Sequence, residues 1–436
     1  MQGEGLSPLL FSLYVNDFEN AFINDLCDEI EFKDLALFLL MYADDTVLIS
    51  ESAAGLQNML DTLSVYCNEW DLKVNIQKTK IVVFRKGGKI HDTCKWFYDG
   101  KELEAVDSFN YLGLTLNFKG KFTKSQGIIA EQGRKCMYRI LKICNDLSLN
   151  VETKLHVFDT YVSSVLNYGS EIWGFDLGND IEKVHVDFCK RILHVKKCTP
   201  NYMIYGELGR EPMYNSRIIK IVKYWLKILK TTNCILQYIY DDMLFCNHKP
   251  CNWRCQVRYL LLSRGFGDVW SKQYVDNEVL FLRCLKQRLT DNFMQARNEF
   301  FDKSSKCILY KHLIDNNSIQ FYLTKNISDQ YISIFTKFRL SAHKLRIEQG
   351  RYNGTVRQDR ICEFCHLNVI EDEYHFILIC PLYKDIRSTY IKRYYWSHAS
   401  MYKLIQLMTI ENRKQLCFLG KFLKYALALR SSQTII

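Results

Sequence analysis

Two groups of side chains are spaced for chemistry. The first is the adjacent acid pair Asp44 and Asp45 in "DLALFLLMYADDTVLIS". Neighbouring aspartates in a turn are ordinarily solvated turn formers. Here they lie between two apolar runs that read as strands, about 35–41 and 46–50, so a β-hairpin presents both carboxylates at its tip. Like charges crowded on a rigid turn favour a bound cation. Magnesium suits the position because it prefers oxygen ligands and shares them with phosphate, and paired metals clamp the oxygens of phosphoryl transfer. The second group is Cys362-x2-Cys365-x9-His375-x4-Cys380, with His366 in reserve. Two ligand pairs at this spacing close a tetrahedral zinc site, and four protein ligands make it structural. A third group, Cys246-x-His248-x2-Cys251-x3-Cys255, is too tightly spaced for an ordinary finger and reads as free cysteine.

The elements that must hold the acid pair follow from periodicity. Ser7-Pro8 reads as a helix start, with Ser7 as cap and Pro8 in the first turn. Leu56, Met59, Leu60, Leu63, Cys67 and Trp70 recur on one face of a helix over 53–70. After it, "KTKIVVF" predicts a short buried strand, Asp99-Gly100 a two-residue hairpin turn, and "FNYLGLTLN" a further strand. The fold class to about residue 118 is therefore α+β, with an antiparallel sheet. Residues 122–230 are helix-rich, and the chain stays mostly helical to its end. There is no internal repeat or low-complexity tract.

Composition narrows the partners. With 436 residues, 48% of them hydrophobic, the chain suits two or three packed domains. It has neither a secretory leader nor a run long enough to span a membrane, and its 17 cysteines read as thiols or metal ligands. An intracellular protein without a membrane partner is expected. Residues 1–120 hold 10 Lys+Arg against 19 Asp+Glu, whereas the remainder holds 48 against 29. An acidic front suits divalent metal, and a basic remainder suits a polyanion.

"QGEGLSPLLFSLYVNDFE", "MYADDTVLIS", "WDLKVNIQKTKIVVF" and "YLGLTLN" stand in the order and approximate spacing of the later palm motifs of reverse transcriptases. Their wording resembles the non-LTR (LINE-type) retrotransposon group. "VLNYGSEIWG" and "CTPNYMIYGELGREPM" resemble the thumb and post-thumb segments of those elements, and "EDEYHFILICPLY" resembles their C-terminal Cys/His segment. The resemblance implies a partial right-hand palm over 1–118, a helical thumb and post-thumb over 119–230, and a helical C-terminal region over 231–436 with a zinc knuckle at 362–380. It implies RNA-directed DNA polymerisation with Mg²⁺ on Asp44 and Asp45, using an RNA template, a DNA primer and deoxynucleotides.

By the same resemblance, Gln2 and Gly3 line the nucleotide pocket, Tyr42 packs under the primer end, and Lys78 or Lys80 protonates the departing pyrophosphate. Tyr111, Leu112 and Gly113 grip the primer backbone. "FRLSAHKLRIEQGRYNG", beside the knuckle, interleaves cations with aromatics in a manner suited to RNA. In the family a third carboxylate and the fingers precede the "QG" loop, and here Met1 abuts that loop. A truncated chain with little polymerase activity of its own is therefore expected. The competing expectation is a silent RNA-binding protein that uses the basic thumb and the knuckle. Priming on genomic DNA would place the protein in the nucleus as well as the cytoplasm.

Overall fold

In the computed structural model, residues 6–23, 29–32, 35–91, 94–245, 252–314 and 316–433 are described. Gln2 and Gly3, and three members of the tight cysteine group (Cys246, His248 and Cys251), lie outside them.

Short strands and strong turns shape the first part of the chain. Among the described residues four antiparallel ribbons form: β1 (Ile30–Phe32) with β2 (Leu35–Leu37), β3 (Leu39–Tyr42) with β4 (Asp45–Leu48), β5 (Trp96–Tyr98) with β6 (Lys101–Leu103), and β7 (Ser108–Tyr111) with β8 (Leu114–Asn117). Asp99 and Gly100 take φ of 47° and 69°, the left-handed pair that a tight hairpin needs. Three expectations change here. The single strand foreseen over 35–41 is interrupted at Phe38, whose ring turns into a core with Phe18, Phe22, Met59 and Tyr66. The strand foreseen in "KTKIVVF" reduces to one bridge, Ile81 to Ala105. "FNYLGLTLN" is not one strand but both arms of the β7–β8 hairpin. Strands of three or four residues make few ladder bonds, so side-chain packing joins the ribbons in place of a continuous sheet.

The helix Ala53–Glu69 does much of that joining. Its first turn is capped by Ser52, whose hydroxyl accepts from the Gly55 amide at 2.9 Å. Met59, Leu60 and Cys67 are buried, as the periodicity predicts. Leu60 packs with Ile81, Trp96, Tyr98 and Leu103. Gln57 closes the β5 edge by accepting from the Phe97 amide at 2.8 Å and donating to its carbonyl at 2.9 Å. Upstream, the helix Ser7–Tyr14 begins at Ser7 with Leu6 in the cap position and no side-chain cap. Pro8 thus sits in the first turn as foreseen, while Ser7 is one place further in.

Contacts divide the chain into two units. The first comprises the described residues of Met1–Ile128 with Glu171–Trp173 and Lys220–Asp276. Within it the Trp225 indole donates to the Tyr240 hydroxyl at 2.8 Å, and Tyr240 donates to Gln273 at 2.6 Å. Arg254 covers the Tyr240 ring at 3.9 Å. The second unit comprises Ile129–Ser170, Gly174–Ile219 and Asn277–Ile436. It is built of helices, among them Asn179–Ile192, Asn201–Leu208, Glu278–Lys303, Asp329–Arg339 and Arg413–Gln433. Among the described residues no helix is long and apolar enough to cross a membrane.

Candidate functional site

Tyr42 and Asp45 pair across the β3–β4 hairpin, so its turn is Ala43–Asp44. Ala43 adopts φ 55°, a left-handed conformation that costs a Cβ-bearing residue about 1–2 kcal/mol. The strain sits where the two acids are displayed. Asp44 and Asp45 are both exposed, and Tyr42 is 64% exposed. The carboxylates are therefore on an open tip and not in a hydrophobic core.

A second hairpin approaches them. Burial raises the Tyr111 phenol above its ordinary value, and the nearby Asp45 charge raises it further. Tyr111 closes β7, and the following turn is Leu112–Gly113, with φ of 46° and 79°. The Asp45 charge thus falls within electrostatic reach of the Tyr111 phenol. Lys80 is engaged elsewhere, with its ammonium 2.7 Å from Glu104. Lys78 is exposed, its amide capped by Asn75, and it makes no ion pair among the described residues.

The Cys/His group converges as its spacing predicts. One ligand atom each from Cys362, Cys365, His375 and Cys380 lie within 4.8 Å of one another. A tetrahedral zinc with Zn–S near 2.3 Å needs ligand separations of about 3.8 Å, so a small contraction closes the shell. Cys362 and Cys365 sit on the turn that follows the Ile361–Ile370 bridge, and His375 and Cys380 bracket a single wide turn, His375–Ile379. Hydrogen bonding from Cys380 pulls the Cys362 thiol down to about 4, helped by His375, while Cys380 itself is pushed up. Three sulfurs and an imidazole converging on one point form a donor set matched to a borderline-soft dication.

The surroundings of that group were not legible beforehand. In "EDEYHFILICPLY" the acids turn inward. Glu371 is 1% exposed, accepts from the Arg430 guanidinium at 2.6 and 2.7 Å, and also accepts from the Arg346 amide at 2.8 Å. Glu373 meets His343 at 2.8 Å, and Asp372 accepts from the His375 amide at 2.8 Å. Arg387, buried, donates to the carbonyls of Ile377 and Cys380 at 2.7 and 2.8 Å, and burial lowers its guanidinium to about 10. An acidic triplet set among excess cations was the available signal.

The basic segment "FRLSAHKLRIEQGRYNG" needs correction as a nucleic-acid surface. Arg339 is fully buried against Glu207 at 2.9 Å. Arg351 is held by Glu348 and Ser305, and Arg346 by Glu363. Only Lys344 is exposed among the cations 339–351 without an ion pair in the described residues. Guanidinium forks suit buried carbonyls and carboxylates, so helical packing takes these cations for the fold.

Residues 1–116 match the family of reverse transcriptases (RNA-dependent DNA polymerases). The chain is 28% identical over 217 residues to a Drosophila melanogaster protein described as a probable RNA-directed DNA polymerase from transposon BS, covering 48% of this chain and 23% of that protein. It is 23% identical over 241 residues to the RNA-directed DNA polymerase from mobile element jockey of the same organism, covering 52% of this chain and 25% of that protein. A transposon-derived protein of Caenorhabditis elegans is 26% identical over 165 residues, covering 36% of this chain and 56% of that one. The chain thus spans about a quarter of the two Drosophila relatives.

Proposed function

We propose that the chain serves RNA-directed DNA synthesis through Asp44 and Asp45, a reading supported by the match of residues 1–116 to the reverse transcriptase family and by the similarity to the polymerases of transposon BS and mobile element jockey. The observation that carries this reading is the exposed acid tip, with Ala43 in a left-handed conformation, inside the matched segment. The ligands are an RNA template, a DNA primer and deoxynucleotides. Residues 119–230 act as the thumb, and 231–436 as an accessory region stapled by structural zinc on Cys362, Cys365, His375 and Cys380.

The reaction is attack of the primer 3′-hydroxyl on the α-phosphorus of a deoxynucleotide, with departure of pyrophosphate. Bound Mg²⁺ would supply charge neutralisation and alignment of the attacking and leaving oxygens. The chain's own groups do the rest. Asp44 and Asp45 fix the cation-binding position on a rigid turn. Tyr42 offers an exposed ring to the primer terminus. Tyr111, Leu112 and Gly113 hold the primer backbone, and the Gly113 backbone admits close approach of the phosphates. Lys78, without a carboxylate partner among the described residues, donates a proton to the leaving pyrophosphate, and Gln2 and Gly3 border the nucleotide.

The test measures Mn²⁺ binding by electron paramagnetic resonance together with primer extension on an RNA template. Asp44→Asn with Asp45→Asn should remove the tip's Mn²⁺ signal and abolish whatever primer extension the parent chain supports, while RNA retention stays unchanged. Mn²⁺ binding and extension that survive the double substitution would refute the assignment.

A further inference from the structure

A cavity of about 460 Å³ opens on the surface of the C-terminal helices, within the second unit, and shares no residue with either site above. Its floor is apolar: Ile391, Leu407 and Leu419 are 4%, 3% and 1% exposed. Its walls carry the aromatic rings of Tyr390, Tyr395 and Phe418. Lys392, Arg393 and Lys414 line it as well, all exposed and none in an ion pair among the described residues. No lining residue is acidic. The imbalance extends beyond the cavity, because residues 381–436 contain 10 Lys+Arg against 2 Asp+Glu.

Each part selects for ligand chemistry. Three unpaired cations around one mouth repel one another and are relieved by an anion carrying more than one oxygen, such as a phosphate. Aromatic rings over an apolar floor accept a flat, weakly polar ring by stacking. The volume falls in the range that admits one small-molecule-sized unit. A nucleotide joins these features in one molecule. The pattern also continues past the mouth. The Tyr390 ring stacks on Tyr425 at 5.7 Å with 17° between planes, and Lys403 covers Tyr394 at 4.7 Å. Alternating exposed rings and cations along a surface suit consecutive nucleotides of a flexible strand.

We propose that this cavity binds one nucleotide of a single-stranded nucleic acid, its base against Tyr390, Tyr395 and Phe418 and its phosphate on Lys392, Arg393 and Lys414. RNA and DNA share that chemistry. The site stands whether or not the acid hairpin polymerises, since neither residue of the pair takes part.

The experiment uses the whole chain with short labelled oligo(rU) and oligo(dT), read by anisotropy across a salt series and by ultraviolet crosslinking with peptide mapping. Crosslinks should fall on the peptide carrying Tyr390 and Tyr395 or on the one carrying Phe418. The triple variant Lys392→Ala, Arg393→Ala, Lys414→Ala should bind at least about tenfold more weakly and flatten the slope of log affinity against log salt by about 0.7, the loss of one phosphate contact. Phe418→Ala, at a position 45% exposed, should weaken binding by about tenfold with the salt slope and the urea midpoint intact. A preference for oligo(rU) assigns RNA as the source, and a preference for oligo(dT) assigns DNA. Crosslinks confined to other segments, triple-variant affinity within about twofold of the parent, or equal competition by polyglutamate would each overturn the proposal.

Discussion

Replacing Glu207 by Gln removes a charge and almost no volume, and the structure says what that charge balances. Glu207 and Arg339 are both 0% exposed. The Arg339 guanidinium donates to Glu207 at 2.9 Å, to the Met408 carbonyl at 2.8 Å, to Gln320 at 2.9 Å and to the Leu313 carbonyl at 3.3 Å. The second Glu207 oxygen accepts from the Tyr322 hydroxyl at 2.7 Å. Without the carboxylate, the guanidinium keeps three neutral acceptors and no counter-charge. The amide nitrogen of Gln must then face either another donor or the Tyr322 hydroxyl. Breaking such a buried pair costs about 3–5 kcal/mol, far more than an exposed pair contributes.

Urea unfolding followed by the far-ultraviolet circular dichroism of the helices reads this loss. Glu207→Gln and Arg339→Met should each lower stability by about 3–5 kcal/mol. The double variant should lose less than the sum of the two by at least about 1.5 kcal/mol, because the charge left behind in each single variant is gone. A Glu207→Gln loss below about 1 kcal/mol, or strict additivity, would refute the reasoning.

Three other outcomes are expected. Burial opposes charge on His185, but Cys189 and Glu182 more than offset it and raise the imidazole to about 9; its stabilisation is therefore complete below about pH 6.5 and lost as pH rises through about 9. His185→Gln should flatten stability measured across that window, and an unchanged pH profile would count against the network. Cys365→Ser should lower bound zinc, measured by mass spectrometry, well below one per chain, and a strong chelator should expose 361–387 to trypsin; full protection without metal would exclude a structural role. Gly209 has φ of +59°, and a Cβ there would lie 2.5 Å from the Ser318 carbonyl carbon and the Ile319 amide; Gly209→Ala should lower stability by more than about 1 kcal/mol, and a neutral effect in urea would contradict that close approach.

Much of this protein is written locally. The Asp99-Gly100 turn, the helix Ala53–Glu69 and the meeting of Cys362, Cys365, His375 and Cys380 depend on neighbours within a few residues or on fixed ligand spacing. Such signals survive without knowledge of the rest of the fold. The Asp44–Asp45 hairpin belongs with them, although its turn conformation at Ala43 was not foreseen because nothing in an alanine announces a positive φ. Strand length was harder to read, since Phe38 carries the same apolar signal whether it continues a strand or drops into a core.

What only the tertiary structure decided is which charges face water. Arg339, Arg387 and Arg430 look in sequence like any surface cation, yet they are buried by partners or carbonyls that lie on other segments: Arg339 meets Glu207 from 132 residues earlier, and Arg430 meets Glu371 from 59 earlier. Lys392, Arg393 and Lys414 remain exposed around one cavity for the converse reason, that no acid reaches them among the described residues. Charge sign is a property of the residue. Whether that charge stabilises the fold or is left to attract a ligand depends on what the folded chain places opposite it.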